Sequence, residues 1–182
     1  KQPRMTFSGR NDLSHSPSFV FRAARPADGA TLWRVVRSTG TLELNSPYFY
    51  LLWATEFGHT SLVAEQDGQT VGLVVGFHPP GQPDSAFVWQ VGVLPSHRGQ
   101  GLGLRMLQAW KALPANAHCR WVTATVADDN LASQALFQSL ARVSGTGCES
   151  QPHFTADQFP VDHPAEPLLR VGPFSREKAD PV

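Results

Sequence analysis

Cysteine is scarce in this chain. Cys119 and Cys148 are the only two in 182 residues, too few for a disulfide framework and without the spacing of a metal site. Charge is thin as well, at 16% of residues, and fifteen basic residues are matched by fifteen acidic ones. That balance argues against a general binder of nucleic acid or anionic membrane. No apolar run approaches the roughly 20 residues that a bilayer span requires, and no signal-peptide apolar stretch stands at the N-terminus. The expectation is a soluble, cytoplasmic protein that uses no metal, membrane or nucleic acid. Apolar residues, by contrast, make up 41% of the chain, enough for one core of ordinary domain size.

The pattern along the chain divides it into three parts. Residues 1–18 are polar and aperiodic and read as a disordered arm, with Met5 a candidate natural start. Residues 19–176 read as one mixed α/β domain, and 177–182 as a tail. "FVFRAA" (19–24) suggests a first strand, and Leu32, Val35 and Val36 fall at helical spacing before Gly40. Ser46 and Pro47 suit the entrance of a second helix, which Gly58 can end. Two β-rich runs meet at Asp67-Gly68 as a hairpin. A strand over 86–94 leads to a helix over 101–113 closed by Pro114, then strand "RWVTATVA", helix "NLASQALFQSLA", and two short β-like pieces in 143–174.

The junction "VGVLPSHRGQGLG" concentrates the chemistry. Unpaired N–H groups and the helix dipole make a helix N-terminus attractive to phosphate, and glycines let the preceding loop turn its amides inward. Arg98 adds a cation, so residues 98–103 read as a diphosphate cradle. The motif is neither a dinucleotide fingerprint, because Leu104 stands where glycine is required, nor a P-loop, because Gly-Lys-Ser/Thr is absent. A glycine-rich turn without a ligand is the ordinary alternative. Gly92, inside an apolar strand, suggests a bulge or a ligand passing close to the backbone, with packing alone as the other reading. A diphosphate joined to a long amide-bearing arm describes coenzyme A. The cysteines offer no attractive nucleophile.

At these residues the chain resembles the GNAT superfamily of N-acetyltransferases. Its Gln/Arg-x-x-Gly-x-Gly/Ala signature stands here as Arg98-Gly99-Gln100-Gly101-Leu102-Gly103. The resemblance implies an α/β GNAT fold: a twisted mixed sheet, mostly antiparallel, splayed at the fourth strand and flanked by about four helices. It also implies that Val91, Gly92 and Val93 hold the pantetheine arm of acetyl-CoA and that residues 98–103 bind its pyrophosphate. Asn130 and Ser133 would lie beside the arm, although a helix cap also explains Asn130. Phe137 occupies the place of a tyrosine that protonates the leaving thiolate in many members, and it has no proton to give.

Three further segments, "SGTLELNSPYFYLLWATEF", "HPPGQPDSAFVWQVGV" and "DHPAEPLLRVGP", resemble the L-2,4-diaminobutyrate acetyltransferases of ectoine biosynthesis. The resemblance implies acetylation of the γ-amino group of that diamino acid, and a homodimer. Two ammonium groups and a carboxylate call for acidic residues and a polar donor. Candidate acceptor residues are Glu43, Asn45, Tyr48, Trp89, His163 and Glu166, with Asp157 and Asp162 weaker. Glu43 and Glu166 are the candidate bases. Ordinary alternatives stand beside each: a solvated charge at Glu43, core aromatics at Tyr48 and Trp89, a free loop for His163 and Glu166. Acetylation of another small amine and a non-catalytic coenzyme A-binding module also stay open.

Overall fold

Seven strands form one open sheet in the computed structural model, which describes residues 18–175. The expected arm, apart from Ser18, and the expected tail lie outside the described residues. The elements are β1 (Val20–Ala23), α1 (Gly29–Thr39), α2 (Pro47–Glu56), β2 (Leu62–Gln66), β3 (Gln69–Phe77), β4 (Ser85–Val93), α3 (Leu102–Lys111), the single turn α4 (Pro114–Ala117), β5 (Trp121–Thr125), α5 (Leu131–Val143), β6 (Gly147–Phe154) and β7 (Glu166–Gly172). The strand order is β1-β2-β3-β4-β5-β7-β6, with β4 and β5 the one parallel pair.

Local chemistry accounts for most boundaries. Gly40 ends α1 in the left-handed region at φ +65°, where only glycine is free of Cβ strain. Ser46 caps α2 by accepting from the Phe49 amide, and Pro47 opens its first turn. Asp67 and Gly68 take φ +50° and +75° in succession, the geometry of a tight hairpin turn. Pro114 does not merely close α3. It opens the extra turn α4, because its missing N–H and fixed φ suit a first helical position.

Two cores lie on opposite faces of the sheet. On one, α3 and α5 bring Met106, Leu107, Trp110, Phe137 and Leu140 against Val88, Val122, Ala124 and Val171. On the other, α1 and α2 bring Leu32, Val36, Tyr50 and Trp53 against Val63, Leu73 and Val75. The sheet divides at β4. Only Ser85, Ala86 and Phe87 pair with β5, against Trp121, Val122 and Thr123; past them the strands separate into a fork flanked by residues 88–93. A β-bulge also falls here, for Val88 faces Gly76 and Gln90 faces Val75, leaving Trp89 as the extra residue. Among the described residues no helix is long and apolar enough to cross a membrane.

Candidate active site at the fork of the sheet

The α3/α5 side of the fork is built around main-chain groups. Leu94 donates to Val71 at 2.9 Å, and main-chain direction alternates along an antiparallel pair. Gly92 therefore turns its N–H and C=O to β3, while Val91 and Val93 turn theirs to the fork. This corrects the reading of Gly92 as a bulge or an exposed backbone site: the bulge is at Trp89. Gly92 answers a packing need, since a Cβ there would lie 2.7 Å from Leu42 Cδ1 and 3.1 Å from Thr39 Cγ2.

Beyond β4 the chain forms the expected anion cradle. Gly99 and Gly101 hold φ +73° and +70°, and a Cβ built at either would meet nothing within 4 Å. Among the described residues no protein acceptor takes the amides of Gly99, Gln100, Gly101, Leu102, Gly103 or Leu104. Buried Leu102 anchors the first turn of α3 in the core. Six consecutive free amides at a helix N-terminus fit a diphosphate. Arg98 stands beside the cradle as the expected cation, and it is also tied to the main chain. Its guanidinium donates to the main-chain oxygens of Thr39 and Val93 and so ties the cradle to the end of α1. Asn130 accepts from the Ser133 amide at 3.1 Å as the cap of α5; its amide nitrogen is left for other partners. Phe137 is a core residue, 2% exposed, and offers no acid.

The α1/α2 side carries the polar side chains. Strand pairing puts Phe87 and Thr123 on one face, and with them Thr125, Leu168 and Glu166. Trp89 projects from the same face and touches Phe49, Trp53 and Phe77 with ring centroids 5.5, 5.3 and 6.4 Å away. The fork thus has Trp89 on one arm and Glu166 near the end of the other. Glu166 Oε2 accepts from Thr125 Oγ1 at 2.7 Å, and its Oε1 lies 3.8 Å from His163 Nε2. The His163 ring stacks on Phe159 at 4.1 Å and places Nδ1 2.8 Å from the Pro164 oxygen. With a proton on Nδ1 donated to that carbonyl, Nε2 faces the carboxylate. These contacts replace the free-loop reading for both residues. Asp157 and Asp162 are exposed and hold no such partners among the described residues.

The segment after α1 supplies the rest. Glu43 exposes its carboxylate, while its main-chain oxygen accepts from Gln90 Nε2 at 2.7 Å. Tyr50 in turn donates to Gln90 Oε1 at 3.1 Å. Asn45 Nδ2 is buried with no acceptor among the described residues, a costly state unless a ligand or water takes it. Tyr48 is 70% exposed on the outer side of α2, which replaces the core-aromatic reading, and it is its neighbour Phe49 that meets Trp89. The sequence pattern does not single out Gln90, Thr125 or Phe49. The glutamine inside an apolar strand was the one available signal. Burial raises the pKa of both Cys119 and Cys148, which keeps them as unreactive thiols. Among the described residues no cluster of His, Cys, Asp and Glu is arranged to hold a metal ion.

Residues 30–141 match the model of the Acetyltransferase (GNAT) family. The chain is 40% identical over 158 residues to an L-2,4-diaminobutyric acid acetyltransferase of Nocardia farcinica, covering 87% of this chain and 82% of that one. It is 44% identical over 147 residues to the enzyme of the same name from Halalkalibacterium halodurans, covering 80% and 77%. Among solved structures it is similar to a diaminobutyrate acetyltransferase from Paenibacillus lautus in complex with L-2,4-diaminobutyric acid and coenzyme A. There the TM-score is 0.82 at 36% identity, over 89% of this chain and 99% of that chain. The ribosomal-protein-S18-alanine N-acetyltransferase of Escherichia coli shares the fold alone, with a TM-score of 0.64 at 14% identity over 91% of this chain and 100% of that one.

Proposed function

The chain belongs to the Acetyltransferase (GNAT) family and, within it, to the L-2,4-diaminobutyric acid acetyltransferases, and from that premise we propose a direct-transfer mechanism across the fork. Acetyl-CoA enters on the α3/α5 side and L-2,4-diaminobutyrate on the α1/α2 side. The product is the N-γ-acetyl compound used in ectoine biosynthesis. The observation that carries the reading is the pairing of six free amides at the mouth of α3 with carboxylates on the opposite face of the same fork.

The amides of residues 99–104 hold the diphosphate, and Val91 and Val93 bond the pantetheine arm as an added strand edge would. Asn130 and Ser133, at the start of α5, flank the arm. The γ-ammonium loses its proton before attack, because its lone pair is the nucleophile. Glu166, oriented by Thr125 and backed by His163, is the proposed base; Glu43 pairs the second ammonium. Asn45 Nδ2 gains its missing acceptor from the substrate carboxylate. Trp89 walls the acceptor against the thioester. The amine nitrogen attacks the thioester carbonyl, whose oxyanion the Val91 N–H stabilises. The C–N bond forms and the nitrogen passes its second proton to solvent, the C–S bond breaks, and the thiolate takes a proton from solvent, since Phe137 has none.

Thiol release with a panel of diamines tests this. Release with diaminobutyrate alone is expected. Release only with another amine would move the acceptor assignment, and release with none would leave a coenzyme A-binding module. We further propose a cytoplasmic homodimer, supported by Tyr48, Leu51 and Leu52 standing exposed on α2 beside Leu44. A monomeric mass in light scattering at micromolar concentration would rule the dimer out.

A further inference from the structure

We infer that Gln90 is a positioning residue for the acceptor: through the main-chain oxygen of Glu43 it sets the segment carrying Glu43 and Asn45 over the fork. The inference rests on the acceptor site proposed above. Gln90 is 5% exposed in a strand otherwise apolar or glycine between Ala86 and Val93, apart from itself. A buried amide left unpaired is destabilising, so its partners explain its presence. Tyr50, fully buried, donates to Oε1. That leaves the amide nitrogen aimed at Glu43, and the 2.7 Å bond is made. The two contacts fix the amide's orientation without ambiguity, because a hydroxyl can donate to the oxygen and a carbonyl can only accept from the nitrogen.

The start of the same segment is held by other means. Leu42 fills the gap that Gly92 leaves, Thr39 Oγ1 accepts from the amides of Thr41 and Leu42, and Arg98 binds the Thr39 oxygen. For residues 43–45, Gln90 makes the only side-chain hydrogen bond reaching them from the sheet among the described residues. It is also next to Trp89, which faces the acceptor, and to Val91, whose N–H faces the fork. A displacement of the segment by about 1 Å at such a place is enough to spoil reactive geometry. Gln90 touches neither substrate in this arrangement and acts through Glu43 and Asn45.

Gln90→Met keeps the size and apolar fit while removing both hydrogen bonds. The expected result is a KM for diaminobutyrate raised about tenfold, with acetyl-CoA affinity changed by about twofold or less. In the variant without substrates, hydrogen exchange in a peptide spanning residues 38–50 should be faster, while the β2–β3 hairpin exchanges as in wild type. The exchange measurement does not depend on the acceptor's identity. If wild type released no thiol with diaminobutyrate, the acceptor assignment would fall, yet exchange would still report whether Gln90 holds the segment. Unchanged exchange together with an unchanged KM would overturn the inference. Equal losses for both substrates would also overturn it, since a structural role alone produces that. Should Gln90→Met fail to fold, Tyr50→Phe leaves the Glu43 bond but frees the amide. It should shift KM and exchange in the same direction by a smaller factor, and wild-type values in it would refute the role.

Discussion

At Gly101 a glutamate would place a carboxylate among six amides that have no acceptor among the described residues. The substitution separates folding from coenzyme binding, and the structure supplies a magnitude for each. Nothing lies within 4 Å of a Cβ at Gly101, so packing is not disturbed; the φ of +70° is the only obstacle. Holding an L residue there costs about 1–2 kcal/mol, which lowers Tm by about 2–4 °C per kcal/mol for a domain of this size. Binding should suffer far more. If the side chain denies the diphosphate only two charge-assisted amide bonds, at about 1.5–3 kcal/mol each, the loss is about 3–6 kcal/mol, or roughly 10²- to 10⁴-fold in Kd. Repulsion between carboxylate and diphosphate adds to this.

Two companion variants make the comparison quantitative. Gly68→Ala has the same left-handed strain, at φ +75° with open space around it, in the β2–β3 turn outside the cradle. Gly101→Ala has the strain at the cradle without the charge. Thermal unfolding should give all three variants similar losses of Tm. Calorimetric titration with acetyl-CoA should then rank Gly68→Ala with wild type, Gly101→Ala somewhat weaker, and Gly101→Glu beyond detection. A folded Gly101→Glu protein that titrates with wild-type affinity would refute the placement of the diphosphate.

The remaining expectations concern the acceptor side and the rim of the fold. Glu43→Gln and Glu166→Gln should each lower kcat/KM for diaminobutyrate by about ten- to a hundredfold with acetyl-CoA affinity nearly constant; the effect at Glu166 should fall on kcat and that at Glu43 on KM, and wild-type kinetics in both would place the acceptor elsewhere. Trp89→Ala should impair use of both substrates, because the residue stands between them, and steady-state titration of each substrate checks it. Asp28 accepts from two nitrogens of Arg22, at 2.8 and 2.9 Å, and from the Arg25 amide at 2.7 Å. The Arg22 bonds outweigh burial and hold its carboxyl below the ordinary range, so the stability it contributes is present above about pH 4 and is lost as pH falls further. Asp28→Asn should therefore be about 1–2 kcal/mol less stable near neutrality, with the gap to wild type closing in acid. Urea unfolding at pH 7 and at pH 3 measures this, and an equal gap at both would contradict it.

What could be read from the sequence was local. Gly99 and Gly101 are legible because a left-handed backbone at a helix mouth leaves few alternatives to glycine, and the Ser46 cap and the Asp67-Gly68 turn depend on neighbours within three residues. What could not be read depends on partners far along the chain. Arg98 finds Thr39, Thr125 finds Glu166, and Gln90 finds both Tyr50 and Glu43. Nothing beside those residues announces the partner. Tyr48 and Phe49 illustrate the same limit. Both are aromatic and adjacent, and only the azimuth of α2 around its axis decides which one meets Trp89.

The bulge at Trp89 shows how a single residue escapes sequence reading and yet arranges the site. Strict alternation from Ala86, which faces α3, would send Val88 and Gln90 to the α3 side and Trp89 and Val91 to the other. The extra residue breaks that count. Trp89 and Gln90 then share the α1/α2 face, one as the wall of the acceptor and the other as the hold on Glu43. After them the parity is reversed, so Val91 and Val93 pack toward the α3 core, Gly92 comes to lie under Leu42, and the main chain of Val91 and Val93 faces the fork. Without the insertion Gln90 would be an unpartnered amide in an apolar core, and Gly92 would leave an unfilled space beneath α3. The polar residue in the strand, the glycine after it and the free amides at the fork are three consequences of one irregularity.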